Sequence, residues 1–275
     1  MFDLHVHAAP DITPRYADDH GVVSAYAEAG YSGCVLKAHY ESTVGRAAAV
    51  DRRQGIRVYG GVVLNQHVGG VNPAAVAACL SAGGRVVWMP TADAHTQRRA
   101  GLPSLCGARP ELSDHSYAIP PRAPRLATAV RDICRMVAEA DAVLATGHLS
   151  TPEVEWLVPT ARELGVRRLL LTHPGYTVPD MSAERAAALA GLGAHVEITT
   201  YQLLHQPGAT PARLARYAAG VGLDRVVLSS DAGQPDSPSP PEAHRMLVRA
   251  LASEGLDRGA LEACAGELPE ALVEP

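Results

Sequence analysis

The chain opens MFDLHVH (residues 1–7), in which apolar and polar positions alternate and the last two polar positions are histidines. Alternation with period two is the pattern of a β-strand, and residues two apart in a strand share a face. His5 and His7 therefore present their imidazoles side by side. Whether that pair does chemistry depends on what ends the other strands.

Working outward, seven further short runs rich in β-branched residues follow: GCVLKAH (33–39), IRVYGGVVL (56–64), RVVWMP (85–90), AVLATGH (142–148), RRLLLTH (167–173), AHVEITT (194–200) and RVVLSSD (225–231). Stretches rich in Ala, Leu and Arg separate them and read as helices. Strands alternating with helices build a parallel sheet. Eight such units in about 250 residues match an α/β fold of the (β/α)8 TIM-type barrel, with room for distortion. An open doubly wound sheet is the other candidate, but no Gly-rich phosphate loop follows the first strand. The chain reads as one barrel domain, 1–275, with a C-terminal helix near 257–273. A long loop after the fourth strand, about 91–123 and rich in Pro, Gly, Ser and Arg, departs from the repeat and suits a lid over the functional face.

Composition excludes several classes. The net charge is −5 and dispersed, with no basic block to track a phosphate backbone, so no nucleic-acid partner is expected. Eighteen apolar residues never occur together, so no membrane span is expected. Five cysteines without a close pair suit reduced thiols, and the first residues do not resemble a signal peptide; the expectation is a cytoplasmic protein acting on a small molecule, as a monomer or a homo-oligomer.

In a parallel barrel the C-terminal ends of all strands converge on one mouth. Strand 1 ends in His5 and His7, strand 2 in Lys37 and His39, strand 5 in His148, strand 6 in His173 and strand 8 in Asp231, while Glu197 lies on strand 7. Neutral imidazoles with a carboxylate, held on different rigid strands, suit zinc or a related divalent ion. Lys37 is the chain's single lysine among 24 basic residues. Arginine serves wherever only charge is needed, but it cannot lose its proton or add carbon dioxide. Lys37 is thus a candidate for chemistry, for binding an anionic substrate group, or for a salt bridge. His39, Asn65, His67 and Glu197 are candidate substrate contacts near the mouth. His20, His115, His205 and His244 lie outside the strand ends and carry no assigned role, and Arg98, Arg99, Arg109 and Arg122 in the long loop are candidates for gripping a carboxylate or phosphate.

The motifs DLHVH, ATGHLS, LTHPG and SSDAG, in this order and with the helical tail, resemble the amidohydrolase superfamily of metal-dependent hydrolases, and within it a small, uncharacterised branch. The resemblance spans essentially the whole chain. It implies a barrel in which His5, His7 and Asp231 bind one metal and His148 and His173 a second. Many members bridge two metals with a carbamylated lysine or a glutamate from strand 4; here VVWMPT supplies neither, and Lys37 on strand 2 could take that place. The chain also resembles, more distantly, the polymerase-and-histidinol-phosphatase group of phosphoesterases, which would make His39 and Glu197 ligands, although the acidic residue expected on strand 3 is absent.

The resemblance implies a hydrolase in which a metal-activated water cleaves a C–N bond (amide, cyclic amide or amidine) or an ester. Asp231 is the expected proton carrier and Lys37 a second catalytic residue. One or two ions are expected, zinc foremost, with manganese or iron as alternatives. The competing expectations are a metal-dependent decarboxylase or other lyase, a phosphoesterase on the same barrel, and a non-catalytic metal-binding barrel.

Overall fold

The computed structural model describes residues 1–102, 105–106, 109–113 and 115–275. Its strands are β1 (Phe2–Val6), β2 (Gly33–Leu36), β3 (Arg57–Tyr59), β4 (Gly61–Val63), β5 (Val86–Trp88), β6 (Val143–Ala145), β7 (Arg168–Leu171), β8 (Ala194–Thr199) and β9 (Val226–Ser229). All pair in parallel, in the orders β1-β2-β3 and β4-β5-β6-β7-β8-β9. Each corresponds to an expected strand, except that the third is divided at Gly60. The cause is Thr43, whose Oγ1 accepts from Gly61 N at 3.0 Å and donates to Leu36 O at 2.7 Å, wedging between β2 and the third strand. A Cβ on Gly60 would lie 2.5 Å from Thr43 O, so only glycine lets the wedge approach.

The last strand returns to the first. Asp231 N donates to His5 O at 2.8 Å and His7 N to Ala232 O at 2.9 Å, with Val6 and Ala232 bridged in parallel. Asp3, fully buried, accepts from both His5 N and Ser230 N and receives the Tyr26 hydroxyl, stitching the seam beside Asp231. This is the expected (β/α)8 arrangement.

Phe2, Leu4, Val63, Trp88, Leu170 and Val227 fill the lower barrel, and Leu272 and Val273 close its base. The tail forms two helices, Arg258–Cys264 and Glu267–Val273, instead of the single one expected. The break falls at Gly266, whose backbone (φ −144°, ψ −80°) leaves the helical region. A slip in the pairing of β1 with β2 between Asp3 and Val6 lets His5 face inward although its neighbour Leu4 is in the barrel core. Among the described residues no helix is long and apolar enough to cross a membrane.

His244, which the sequence left without a role, is wholly buried on helix Pro240–Ser253. Its Nε2–H donates to Leu228 O at 2.9 Å, while Nδ1 is buried with no partner among the described residues. Burial lowers its pKa from 6.5, against the pull of Asp3 and the Leu228 carbonyl. The unfolded ring takes up a proton near 6.5 and the folded ring only at lower pH. Its contribution is therefore intact above 6.5 and is lost as pH falls below it, with a limiting slope of about 1.4 kcal/mol per pH unit for one proton. Urea unfolding at steps between about pH 7 and 5 should show a shallower acid loss in His244→Gln than in the parent chain; identical slopes would contradict this.

Candidate metal centre and cleft

His5, His7, Lys37, His39, His148, His173 and Asp231 come from strand ends or the turns just after them. His173 and Asp231 take left-handed backbone conformations (φ 26° and 49°), two of only four non-glycine residues with positive φ among those described. Strain of this kind persists where the surroundings over-determine it, commonly at functional sites. Gly147, at φ 58°, turns the chain so that His148 follows directly; a Cβ there would lie 2.3 Å from Met89 O.

At the seam, His5 Nε2 lies 3.0 Å from Asp231 Oδ1, and His7 Nε2 lies 3.2 Å from the same oxygen. Among the described residues, His5, His7 and Asp231 form the group whose potential ligand atoms all lie within 4.8 Å of one another. Lys37 Nζ, 2.9 Å from His5 Nε2, joins them at the barrel floor. His173 Nε2 is 3.9 Å from Asp231 Oδ2. Five imidazoles close a ring around this floor: His5 to His7 at 5.4 Å between ring centroids, His7 to His39 at 5.1 Å, His39 to His148 at 6.2 Å, His148 to His173 at 5.0 Å and His173 to His5 at 6.0 Å.

Partners behind the ring set its orientation. His5 Nδ1 faces Glu197 Oε1 at 3.1 Å, His148 Nδ1 faces Gln97 Oε1 at 3.0 Å, and His39 Nδ1 faces Thr91 Oγ1 at 2.8 Å. An imidazole bonded behind through Nδ1 turns Nε2 toward the centre, the usual device for orienting a metal-binding histidine.

The charges are those of a cation site. Burial pushes the His5 pKa down, but Asp231 and Glu197 outweigh it and carry it up to about 9. Burial works against the Asp231 carboxylate, yet His5 and the hydrogen bonds from His5 and His7 hold its pKa well below the ordinary range. Glu197 is lowered likewise, His5 overcoming burial. Burial lowers Lys37 against the attraction of the two carboxylates. It also keeps His7, His39 and His148 well below 6.5 and takes His173 down to about 4. Most of the ring is thus neutral and available as ligands. Two ligand atoms each about 2.0–2.1 Å from a zinc ion lie roughly 3 Å apart at tetrahedral or octahedral angles, which is the spacing from Asp231 Oδ1 to both histidines. The residues fit a divalent cation.

Above the floor lies a cleft of about 340 Å³ lined by His7, Lys37, His39, His148, His173 and Asp231, and walled by Arg15, Gln97, Leu102, Leu105, Tyr176 and Tyr201. The long loop contributes to this wall, since Gln97 on its helix His95–Arg99 holds His148. The positions 103, 104, 107, 108 and 114 of that loop lie outside the described residues.

Three expected substrate contacts do not line the cleft. Glu197 points inward from β8 but lies beneath His5, 1% exposed, and also accepts from His173 N at 3.2 Å. Its two oxygens are engaged by His5 Nδ1 and His173 N, so it supports a histidine from beneath. Asn65 is fully buried, its amide saturated by Thr91, Asp93 and His39. His67 packs its ring against Tyr40, 6.0 Å away, outside the cleft. Of the loop arginines, Arg98 pairs with Asp93 and Arg109 donates to Ile12 O. Missed in the sequence were Arg15, Gln97, Tyr176 and Tyr201. Tyr176 and Tyr201 lie within a few residues of strand ends, the signal that could have found them; Arg15 lies farther along the loop after β1 and Gln97 in the aperiodic loop, and neither gave one.

Comparison with known proteins adds a family and a fold. A family model described as "Family of unknown function (DUF6282)" matches residues 1–197. No curated protein matches the sequence. Among solved structures, an amidohydrolase from Pseudomonas aeruginosa superposes with a TM-score of 0.64 at 13% identity, covering 99% of this chain and 96% of that one. The probable dipeptidase PvdM from the same organism gives 0.62 at 11% identity, covering 99% and 94%. YjjV, a TatD homologue from Escherichia coli, gives 0.60 at 14% identity, covering 99% and 97%. These likenesses show a shared fold over the full chain.

Proposed function

The chain belongs to the DUF6282 family, and we propose that it is a metal-dependent hydrolase of the amidohydrolase type, cleaving a C–N or ester bond of a small molecule. The observation that carries this reading is the convergence of His5, His7 and Asp231 around one point, with Asp231 Oδ1 3.0 and 3.2 Å from the two ring nitrogens. The names of the solved structures of the same fold are consistent with it.

His5, His7 and Asp231 would hold the cation, for which zinc is the choice that imidazole and carboxylate donors favour. His148 and His173 would hold a second ion or orient the substrate. When bound, such an ion polarises a substrate oxygen and lowers the pKa of water. The chain's own part is positioning and proton transfer. Asp231 Oδ2, the oxygen not shared with His5 and His7, takes the proton of the attacking water and returns it to the leaving group. Glu197 holds His5 through Nδ1, so that Nε2 is the nitrogen that would give up its proton when a cation binds. The ring and the long loop exclude bulk water from the floor.

Lys37 sits with its amine at the ligand nitrogen of His5, 2% exposed. An ammonium there would oppose any cation, and burial already favours the neutral amine. In our reading the neutral Nζ attacks the carbon of carbon dioxide, forming an N–C bond and releasing one proton to solvent. The resulting carbamate is an anionic ligand. Native mass spectrometry in bicarbonate buffer tests both points together, with one or two zinc ions per chain and the mass of one carbon dioxide expected. Turnover of a panel of small amides, cyclic amides and esters should depend on added metal. A chain that takes up no metal, or hydrolyses equally well after chelation, contradicts the proposal.

A further inference from the structure

The cleft's free hydrogen-bond donors specify the kind of molecule it takes. Asn65 has its amide fixed in one orientation: Oδ1 accepts from Thr91 N at 2.9 Å and Asp93 N at 3.2 Å, and Nδ2 donates to His39 O and to Thr91 Oγ1, each at 2.9 Å. Thr91, fully buried, thus has one lone pair filled by Asn65. Among the described residues, the acceptor within reach of its hydroxyl proton is His39 Nδ1, at 2.8 Å. A buried hydroxyl that can donate does so. His39 Nδ1 is therefore the acceptor, and the ring's proton sits on Nε2, the nitrogen left toward the cleft. This sets His39 apart from His5, whose Nδ1 faces one carboxylate and whose Nε2 faces another at the cation site. His39 is a donor to the substrate.

Arg15 lines the same cleft. Its Nε and Nη2 hold Asp11 Oδ2 at 2.8 and 2.7 Å, with the two side chains 6% and 2% exposed. That contact occupies one edge of the guanidinium, and Nη1 has no protein acceptor among the described residues. Of the cleft's side-chain amides, Gln97 is engaged by His148, and Gln234 by Asp231 O and Ser237, while Thr13 and the carboxylate of Asp236 also line the wall. Leu102, Leu105, Tyr176 and Tyr201 supply apolar and aromatic walls, the two tyrosine rings 5.8 Å apart.

We propose that the substrate carries a carboxylate, held by Arg15 Nη1 and the Nε2–H of His39, on an apolar or aromatic body. Arginine and a second N–H donor match a planar oxyanion. Because Arg15 already shares its charge with Asp11, a monoanion suits the subsite better than a phosphate dianion. The inference rests on the hydrolase reading for its meaning as a substrate site, but its test does not require turnover.

The probes are benzoate, benzamide and phenyl phosphate, titrated into the full chain, zinc-loaded and zinc-free, by calorimetry. Nitrogen-15 spectra of the histidine side chains, with His39 assigned by its loss in His39→Gln, read the tautomer. Benzoate should bind about tenfold or more tightly than benzamide, and Arg15→Met should remove about that advantage while leaving benzamide unchanged. His39 should show a protonated Nε2 that shifts when benzoate binds. Equal binding of benzoate and benzamide, no binding of benzoate, tighter binding of phenyl phosphate, or a proton on His39 Nδ1 overturns the proposal. The comparison needs only the parent chain, and the tautomer only that chain and His39→Gln, so an unstable Arg15 variant does not decide the matter. Failure of zinc uptake refutes the metal reading alone, because the zinc-free titration still reports on the donors.

Discussion

Asp231→Asn is expected to lower turnover by about 10²–10⁴-fold, the range for loss of a positioned general base, while the chain stays folded. The substitution keeps the size and one acceptor oxygen of the side chain, so the backbone bonds at the seam, Asp231 N to His5 O and His7 N to Ala232 O, are untouched. What it removes is the charge that holds His5 and His7 at 3.0 and 3.2 Å, and the cleft-lining carboxylate that sits against both histidines. Glu197 cannot substitute, because it lies behind His5 and faces away from any bound molecule. Steady-state assay on whichever amide or ester the panel identifies, with circular dichroism to confirm the fold, checks the result. Turnover within a few-fold of the parent would remove Asp231 from the chemistry.

Zinc should raise the thermal midpoint substantially. The ligands come from the first and last strands, and the unfolded chain has no preformed site to compete, so binding energy becomes folding energy. Free zinc a thousandfold above its dissociation constant contributes about 4 kcal/mol, or roughly 10 °C for a chain of this size. Two carboxylates and a raised His5 crowd one buried point, and a cation relieves the repulsion between Asp231 and Glu197. Differential scanning calorimetry of chelated and zinc-loaded protein measures the shift. In His5→Ala it should largely vanish, and an equal shift in that variant would place the ion elsewhere.

The strand ends were legible because their physics is local. Alternation in MFDLHVH fixes a strand and puts its two histidines on one face, and a parallel barrel then gathers His148, His173 and Asp231 without further information. What the sequence could not show is depth. Glu197 on β8 and His39 just past β2 are both polar positions of strand segments, yet one lies beneath the ring and the other lines the cleft, because each strand's stagger in the barrel sets the layer its side chains occupy. Asn65 looked like a mouth residue and proves to be the clamp of the Thr91–Asp93 turn, a role visible only when its four hydrogen bonds are counted. The division of the third strand at Gly60 depends on Thr43, seventeen residues earlier in the chain, and Gln97 reaches His148 across fifty-one residues from a segment without periodicity.

The central claim is the location of the cation, and crystals grown with zinc test it most directly through anomalous scattering at the zinc edge. The account predicts a peak bonded to His5 Nε2, His7 Nε2 and an Asp231 carboxylate oxygen at about 2.0–2.2 Å. A fully occupied zinc elsewhere, with these three side chains bonded only to one another, would contradict it.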